Sequence, residues 1–226
     1  MSQGEPAPEA PQPAGFVFSD AGAKRAQQLI ARYPQGRQQS AVIPLLDLAQ
    51  REAGGWLPRA AMDHVAGLLD MPPIRVYEIG TFYTMFHLKP VGKHLIQVCR
   101  TTPCWLRGSD GLTETCRHKL GIDLGETSAD SSFTLIEVEC LGACVNAPMV
   151  QVNDDYYEDL TPALMEQLID DLAAGREVSI GSQAGRRGSE PDGGPTTLND
   201  LPDPPVVKTL AFDKPAEPKP EAAEKR

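Results

Sequence analysis

Four of the five cysteines in this 226-residue chain fall in two close pairs, CRTTPC at 99–104 and CLGAC at 140–144. A fold that carries them must bring two separate loops together or leave reactive thiols stranded. The first fifteen residues, MSQGEPAPEAPQPAG, hold glutamates and prolines but neither Lys nor Arg, unlike a secretory signal or an Arg-rich transit peptide. Without an export signal the thiols are expected to stay reduced, which disfavours a disulfide framework. Paired thiols in a reducing compartment point instead to metal or redox chemistry.

Composition narrows the partners. Hydrophobic residues make up 41% of the chain, ordinary for a globular protein, and no apolar run approaches the roughly 18–20 residues of a membrane span. The net charge is −10, and no basic face suited to nucleic acid is visible. The stretch DDYYEDLTPALMEQLIDD at 154–171 has seven acidic residues and no basic one, a solvated surface or a patch facing a basic partner.

Texture divides the chain into four parts. Residues 1–15 read as a disordered leader, and the Pro-rich residues 176–226 as an extended or disordered tail. Two small apolar islands in that tail, VVKTL and Leu210 with Phe212, are candidate docking points. Residues 16–88 read as a bundle of four helices. Ser19 and Asp20 cap the first, which runs to about Tyr33. Val42, Leu45, Leu46 and Ala49 stripe the second, which Gly54 and Gly55 end. Pro58 opens the third, with Met62, Val65 and Leu69 in register; Pro72 and Pro73 start the fourth, with Val76, Ile79, Phe82, Tyr83 and Phe86 as its core stripe. Residues 89–175 change period. KHLIQV, FTLIEVE, MVQVN and DDYYED read as strands, about 105–120 as one helix, and TPALMEQLIDDLAAG as a closing helix. The fold class is α+β, a helical bundle followed by an α/β layer of thioredoxin-like kind.

Each cysteine pair follows a strand, at the edge where open α/β sheets place ligands. If the strands at 94–99 and 133–139 are neighbours, four sulfurs converge. Zinc accepts four thiolates at such spacings. A thioredoxin-type disulfide site uses C-x-x-C and a single pair. A [2Fe–2S] cluster needs two thiolates on each iron, which suits two opposed pairs. Around the pairs, Thr101, Thr102, Gly142 and Ala143 are small enough for backbone N–H groups to approach sulfur. Pro103 and Pro148 stiffen the loops, and Arg100 and Arg107 are candidate sources of positive potential. Cys116 lies within the helix after the first pair and reads as a buried apolar side chain. The motifs G-x-G-x-x-G and the Walker loop are missing, and neither His94 nor His118 sits in a nucleophile pattern.

Four stretches, GRQQSAVIPLLDLAQREAGGWLP, MPPIRVYEIGTFYTMF, VCRTTPCWLRGSDGL and ECLGACVNAPMVQVNDDYYEDLT, together resemble one family over about residues 16–175. It is the thioredoxin-like [2Fe–2S] subunit of NADH:quinone oxidoreductase, respiratory complex I. The resemblance implies one [2Fe–2S] cluster ligated by Cys99, Cys104, Cys140 and Cys144. It implies a flavoprotein partner that binds FMN and NADH, contacted through the helical domain around GRQQSAVIPLL and GTFYTMFH, and other subunits of the hydrophilic arm. It also implies a peripheral place on the cytoplasmic face of the bacterial inner membrane. Hydride transfer then belongs to the partner, and this chain is a component of the enzyme without an active site of its own. Related subunits serve NAD-reducing hydrogenases and NAD-dependent formate dehydrogenases, and a four-cysteine zinc interaction module is the alternative of a different class. The tail past Arg176 is where the chain departs from the family.

Overall fold

The computed structural model describes residues 12–191, 193–197, 199–200 and 202. Most of the leader and the islands VVKTL and Leu210 with Phe212 lie outside the described residues. The described residues divide into two compact units, one ending at Pro90 and the next starting at Val91.

The first unit is helical, with α1 (Asp20–Ile30), a 3-10 turn (Gln38–Ala41), α2 (Val42–Glu52), α3 (Arg59–Leu68) and α4 (Pro73–Phe82). Ser19 begins α1 by accepting a hydrogen bond from the Gly22 N–H at 3.0 Å, satisfying an otherwise orphan donor. The Ser19 backbone N–H and hydroxyl both donate to the Glu52 carboxylate, at 2.9 and 2.8 Å, which ties the start of α1 to the end of α2. Pro44 sits in the first turn of α2, where a missing N–H costs least. Val42, Leu45, Leu46 and Ala49 are buried, and they meet Met62 and Val65 of α3 and Val76 of α4 in one apolar cluster. Full burial of a leucine such as Leu45 contributes about 1.5–3 kcal/mol.

The fourth helix corrects the stripe drawn from sequence. Val76 and Gly80, one turn apart, face the core, whereas Phe82 is 76% exposed and Tyr83 is exposed too. Phe82 lies two residues beyond Gly80, on the opposite side of the helix. The helix ends there, because Tyr83 adopts an extended backbone. Phe86 regains the core through a separate turn, its N–H donating to the Tyr83 carbonyl at 3.0 Å.

The second unit contains β1 (His94–Cys99), α5 (Thr102–Leu106), α6 (Ser109–Leu120), β2 (Phe133–Val138), β3 (Val150–Val152), β4 (Asp155–Glu158), α7 (Pro162–Ala173) and β5 (Gly181–Ser182). The strand order is β2-β1-β3-β4-β5. The pairs β1/β2 and β4/β5 are parallel; β1/β3 and β3/β4 are antiparallel. Asn153, at φ 56°, turns β3 into β4, and its side-chain oxygen accepts from the Leu95 N–H at 2.9 Å. Ile96, Leu112, Leu135, Val150, Tyr157 and Met165 form the apolar centre. In place of one helix over 105–120 there are two, divided at Gly108, whose φ of 96° suits glycine alone.

The acidic run is partly neutralised from within. Lys119 pairs with Asp170 at 2.9 Å, Arg176 with Asp171, and Arg186 with Asp159. The last pair comes from the Pro-rich stretch. Composition alone leaves residues 176–226 outside the fold, yet Val178 is buried in the sheet's core and Gly181–Ser182 adds the fifth strand.

Two glycines are set against neighbours of different stiffness. A Cβ on Gly92 would stand 2.7–2.9 Å from the backbone of Phe133, whereas one on Gly80 would meet the movable Met62 sulfur at 2.8 Å. Gly92→Ala is expected to lower stability by about 2 kcal/mol through forced backbone movement. Gly80→Ala, which gains about 0.5–1 kcal/mol of helix propensity, loses less. Urea unfolding followed by circular dichroism checks the order; a Gly80→Ala loss equal to or above that of Gly92→Ala would contradict it.

Candidate metal centre

Cys99 is the last residue of β1 and Cys140 stands two residues past the end of β2. The two strands run parallel with Cys99 opposite Val138, so both loops leave the same sheet edge. The Arg100 N–H donates to the Val138 carbonyl at 3.1 Å, extending the ladder to the site's threshold. Thr102 and Pro103 then start α5, and its first turn brings Cys104 back to the Cys99 thiol. These two cysteines are buried beside Ala147 and Met149.

The second loop is tighter and open to solvent. Gly142, at φ 83°, turns it so that its own N–H donates to Cys140 Sγ at 3.4 Å. The 3-10 turn Cys144–Asn146 follows, and Cys140 Sγ lies 3.8 Å from Cys144 Sγ. Tyr156 of β4 pins this loop, its hydroxyl donating to the Leu141 carbonyl at 2.8 Å.

Charge is shared within each pair. Burial raises the Cys99 thiol, but hydrogen bonds from the Thr101 hydroxyl, from the Leu141 and Thr101 backbone and from Cys104 outweigh it, leaving its pKa lowered. Burial and the neighbouring Cys99 push Cys104 up to about 12. The Gly142 N–H, then Thr101 and Cys144, lower Cys140; the hydrogen bond to Cys140 raises Cys144. Within each pair one thiol is thus shifted down and its neighbour up. The pairs also feel each other, since charge on Cys99 acts on Cys140 and Cys144 across the gap.

Two neighbouring thiols are a ready pair of ligands for one metal ion. Tetrahedral metal–sulfur bonds of about 2.3 Å set two thiolates about 3.8 Å apart, which matches the Cys140–Cys144 separation. Among the described residues no group of three or more His, Cys, Asp or Glu side chains gathers round one ion position. Two pairs of thiols coupled electrostatically supply the two-plus-two ligand set that a [2Fe–2S] cluster needs.

Several neighbours carry roles that the sequence did not reveal. Thr101 holds its hydroxyl 3.5 Å from Cys99 Sγ. Tyr156 reads as a strand residue, and its loop contact appears only once β4 is placed. Arg107 donates to the Ala147 carbonyl at 3.4 Å, whereas Arg100 pairs with Glu137 at 3.4 Å. Cys116 takes no part: it is fully buried in the sheet's core, where burial pushes its thiol up to about 12. His94 stacks near Phe133, and His118 is exposed on α6.

Comparison with known proteins identifies the family. The family model for the thioredoxin-like [2Fe–2S] ferredoxin matches residues 26–173. One NADH-quinone oxidoreductase subunit, from Rickettsia bellii, is 60% identical over 157 residues, which cover 70% of this chain and 94% of that protein. The mitochondrial NADH dehydrogenase [ubiquinone] flavoprotein 2 of Dictyostelium discoideum is 48% identical over 198 residues, covering 88% of this chain and 79% of that protein. Among solved structures, an NAD+-reducing [NiFe]-hydrogenase in the air-oxidised state shares the fold at a TM-score of 0.52 and 21% identity, over 58% of this chain and 23% of the hydrogenase chain. Matched along most of its folded length, the chain belongs to the thioredoxin-like [2Fe–2S] ferredoxin family.

Proposed function

We propose that the chain is the thioredoxin-like electron-transfer component of an NADH:quinone oxidoreductase, holding one [2Fe–2S] cluster through Cys99, Cys104, Cys140 and Cys144. The observation that carries the ligand set is two thiol pairs at the ends of adjacent parallel strands, one of them at the spacing of two ligands on one metal. When bound, the cluster supplies a one-electron redox centre. Buried Cys99 and Cys104 would supply one pair of its ligands, and exposed Cys140 and Cys144 the other. With the thiols as thiolate ligands, the Gly142 N–H and the Thr101 hydroxyl would donate to sulfur and favour the extra negative charge of the reduced cluster. Ala147 and Met149 keep water from the inner pair.

Hydride chemistry belongs, in this reading, to a flavoprotein partner that binds FMN and NADH within the hydrophilic arm. The first unit exposes an apolar run, Phe82, Tyr83, Met85 and Leu88, and the second exposes Trp105, Leu106 and Val145 beside the cysteines. Apolar surface of this kind marks contact with other proteins. No helix among the described residues is long and apolar enough to cross a membrane. As a component of such a complex the chain would attach peripherally, at the cytoplasmic face of the bacterial inner membrane.

Iron and acid-labile sulfide are expected at about two each per chain, as a [2Fe–2S] cluster requires. Cys99→Ser, Cys104→Ser, Cys140→Ser and Cys144→Ser should each lose the cluster or alter the EPR spectrum of the dithionite-reduced chain. Cys116→Ala should keep full iron content, at a stability cost of about 1 kcal/mol. Stoichiometric zinc, or iron lost in Cys116→Ala with the fold intact, would refute the assignment.

The partner surface has its own test. Arg37→Glu combined with Phe82→Ser alters two exposed positions of the first unit. Co-purification with the flavoprotein subunit should fall at least severalfold while visible absorption of the cluster stays unchanged. Undiminished co-purification would place the contact elsewhere.

A further inference from the structure

After α7 the chain returns along the sheet as a strap. Gly181–Ser182 pairs with β4, and the Gln183 N–H donates to the Glu158 carbonyl at 2.9 Å. The next turn delivers Arg186 into a half-enclosed position, its side chain 14% exposed against an Asp159 side chain that is 10% exposed. The guanidinium fork grips both carboxylate oxygens of Asp159, with Nε at 2.9 Å from one of them. Its remaining donors reach two backbone carbonyls, Val145 at 3.0 Å and Glu190 at 3.1 Å. The Ser182 hydroxyl completes Asp159 at 2.6 Å.

Val145 is the residue after Cys144, in the same 3-10 turn. The next residue, Asn146, is buried; its amide donates to Glu158 Oε2 at 2.6 Å and to the Gly188 carbonyl of the strap at 2.7 Å. The Asn146 carbonyl in turn accepts from the Asp159 N–H at 2.8 Å. The turn that presents Cys144 is therefore held on its outer side by β4 and by the strap. A buried ion pair adds little net stability against an apolar substitute, so its value lies in fixing a geometry. Arginine suits the task because one planar group satisfies a carboxylate and two carbonyls at once.

We propose that Arg186 is a positioning residue of the cysteine site. Through the Val145 carbonyl it fixes the turn that aims Cys144, so residues 177–190 complete a centre whose ligands all precede them. This inference rests on the reading of Cys144 as a cluster ligand.

The test compares the full-length, cluster-loaded chain with its Arg186→Ala and Arg186→Lys variants. Three quantities are read: the EPR line shape after dithionite reduction, the rate of iron loss to a chelator, and hydrogen exchange at the Asn146 and Ala147 amides. Removal of outer-shell support for a metal ligand commonly weakens retention about 10–100-fold, so Arg186→Ala should lose iron at least about tenfold faster. Its EPR line shape should shift, and both amides should exchange faster while β1 and β2 stay protected. Arg186→Lys keeps a charge for Asp159 but lacks the fork, and should fall between Arg186→Ala and the parent chain. A folded Arg186→Ala with the parent spectrum and iron-loss rate overturns the proposal. So does faster exchange spread evenly over β1 and β2, the mark of general destabilisation. If Arg186→Ala does not fold, Arg186→Lys decides on the same readouts. If the parent chain carries no cluster, the ligand reading fails on its own, and unchanged exchange at Asn146 and Ala147 in Arg186→Ala then overturns the strap's role separately.

Discussion

Two strands that run side by side in one direction end at the same edge of their sheet, and here those strands are β1 and β2. Antiparallel pairing would have sent the two cysteine loops to opposite edges. A parallel pair needs a long crossover, and the chain supplies it with α5, α6 and the segment up to Phe133. Register matters as much as direction. Cys99 opposite Val138 leaves Cys140 just beyond the last ladder position, free to turn outward with its loop. On the other side of β1, β3 closes the arrangement, with the Cys99 N–H donating to the Met149 carbonyl at 3.3 Å. The site is a property of three strand ends more than of the cysteines alone.

The two halves of the centre face different surroundings. Cys99 and Cys104 lie under protein, where a thiolate must be held by hydrogen bonds because water cannot solvate it. Cys140 and Cys144 lie at the surface, where solvent shares that task. Thr101 belongs to the first loop, yet its hydroxyl bears on Cys99 and on Cys140, so one small side chain links the two environments.

Much of this was legible in the chain before any coordinates. Ser19, Pro58 and Pro73 mark helix starts because caps and missing N–H groups act locally, and the structure begins helices at or beside them. That each cysteine pair follows a strand is read from the apolar runs before it, and Cys99 ends β1 while Cys140 stands two residues past β2. What escaped depends on contacts distant in sequence or on where a period stops. Phe82 closes α4 on its outer side and Tyr83 lies past its end, and spacing cannot reveal where the helix stops. The positive φ of Gly108 divides α5 from α6, a break that spacing over 105–120 does not register. The strand Gly181–Ser182 is two residues long inside a Pro-rich stretch, too short for alternation to register. Its attachment relies on Arg186 meeting Asp159, and no local pattern couples those two positions.

The strap lies on the carboxyl side of everything it holds, and a chain leaves the ribosome amino end first, at about 5–20 residues per second. The segments of β1, β2, β3 and β4, with all four cysteines, have been made before Arg186 exists. Until the strap arrives, the turn after Cys144 lacks the guanidinium and the Gly188 carbonyl. The second loop therefore gains its full set of hydrogen bonds only after residues 177–190 have been added and have cleared the ribosome.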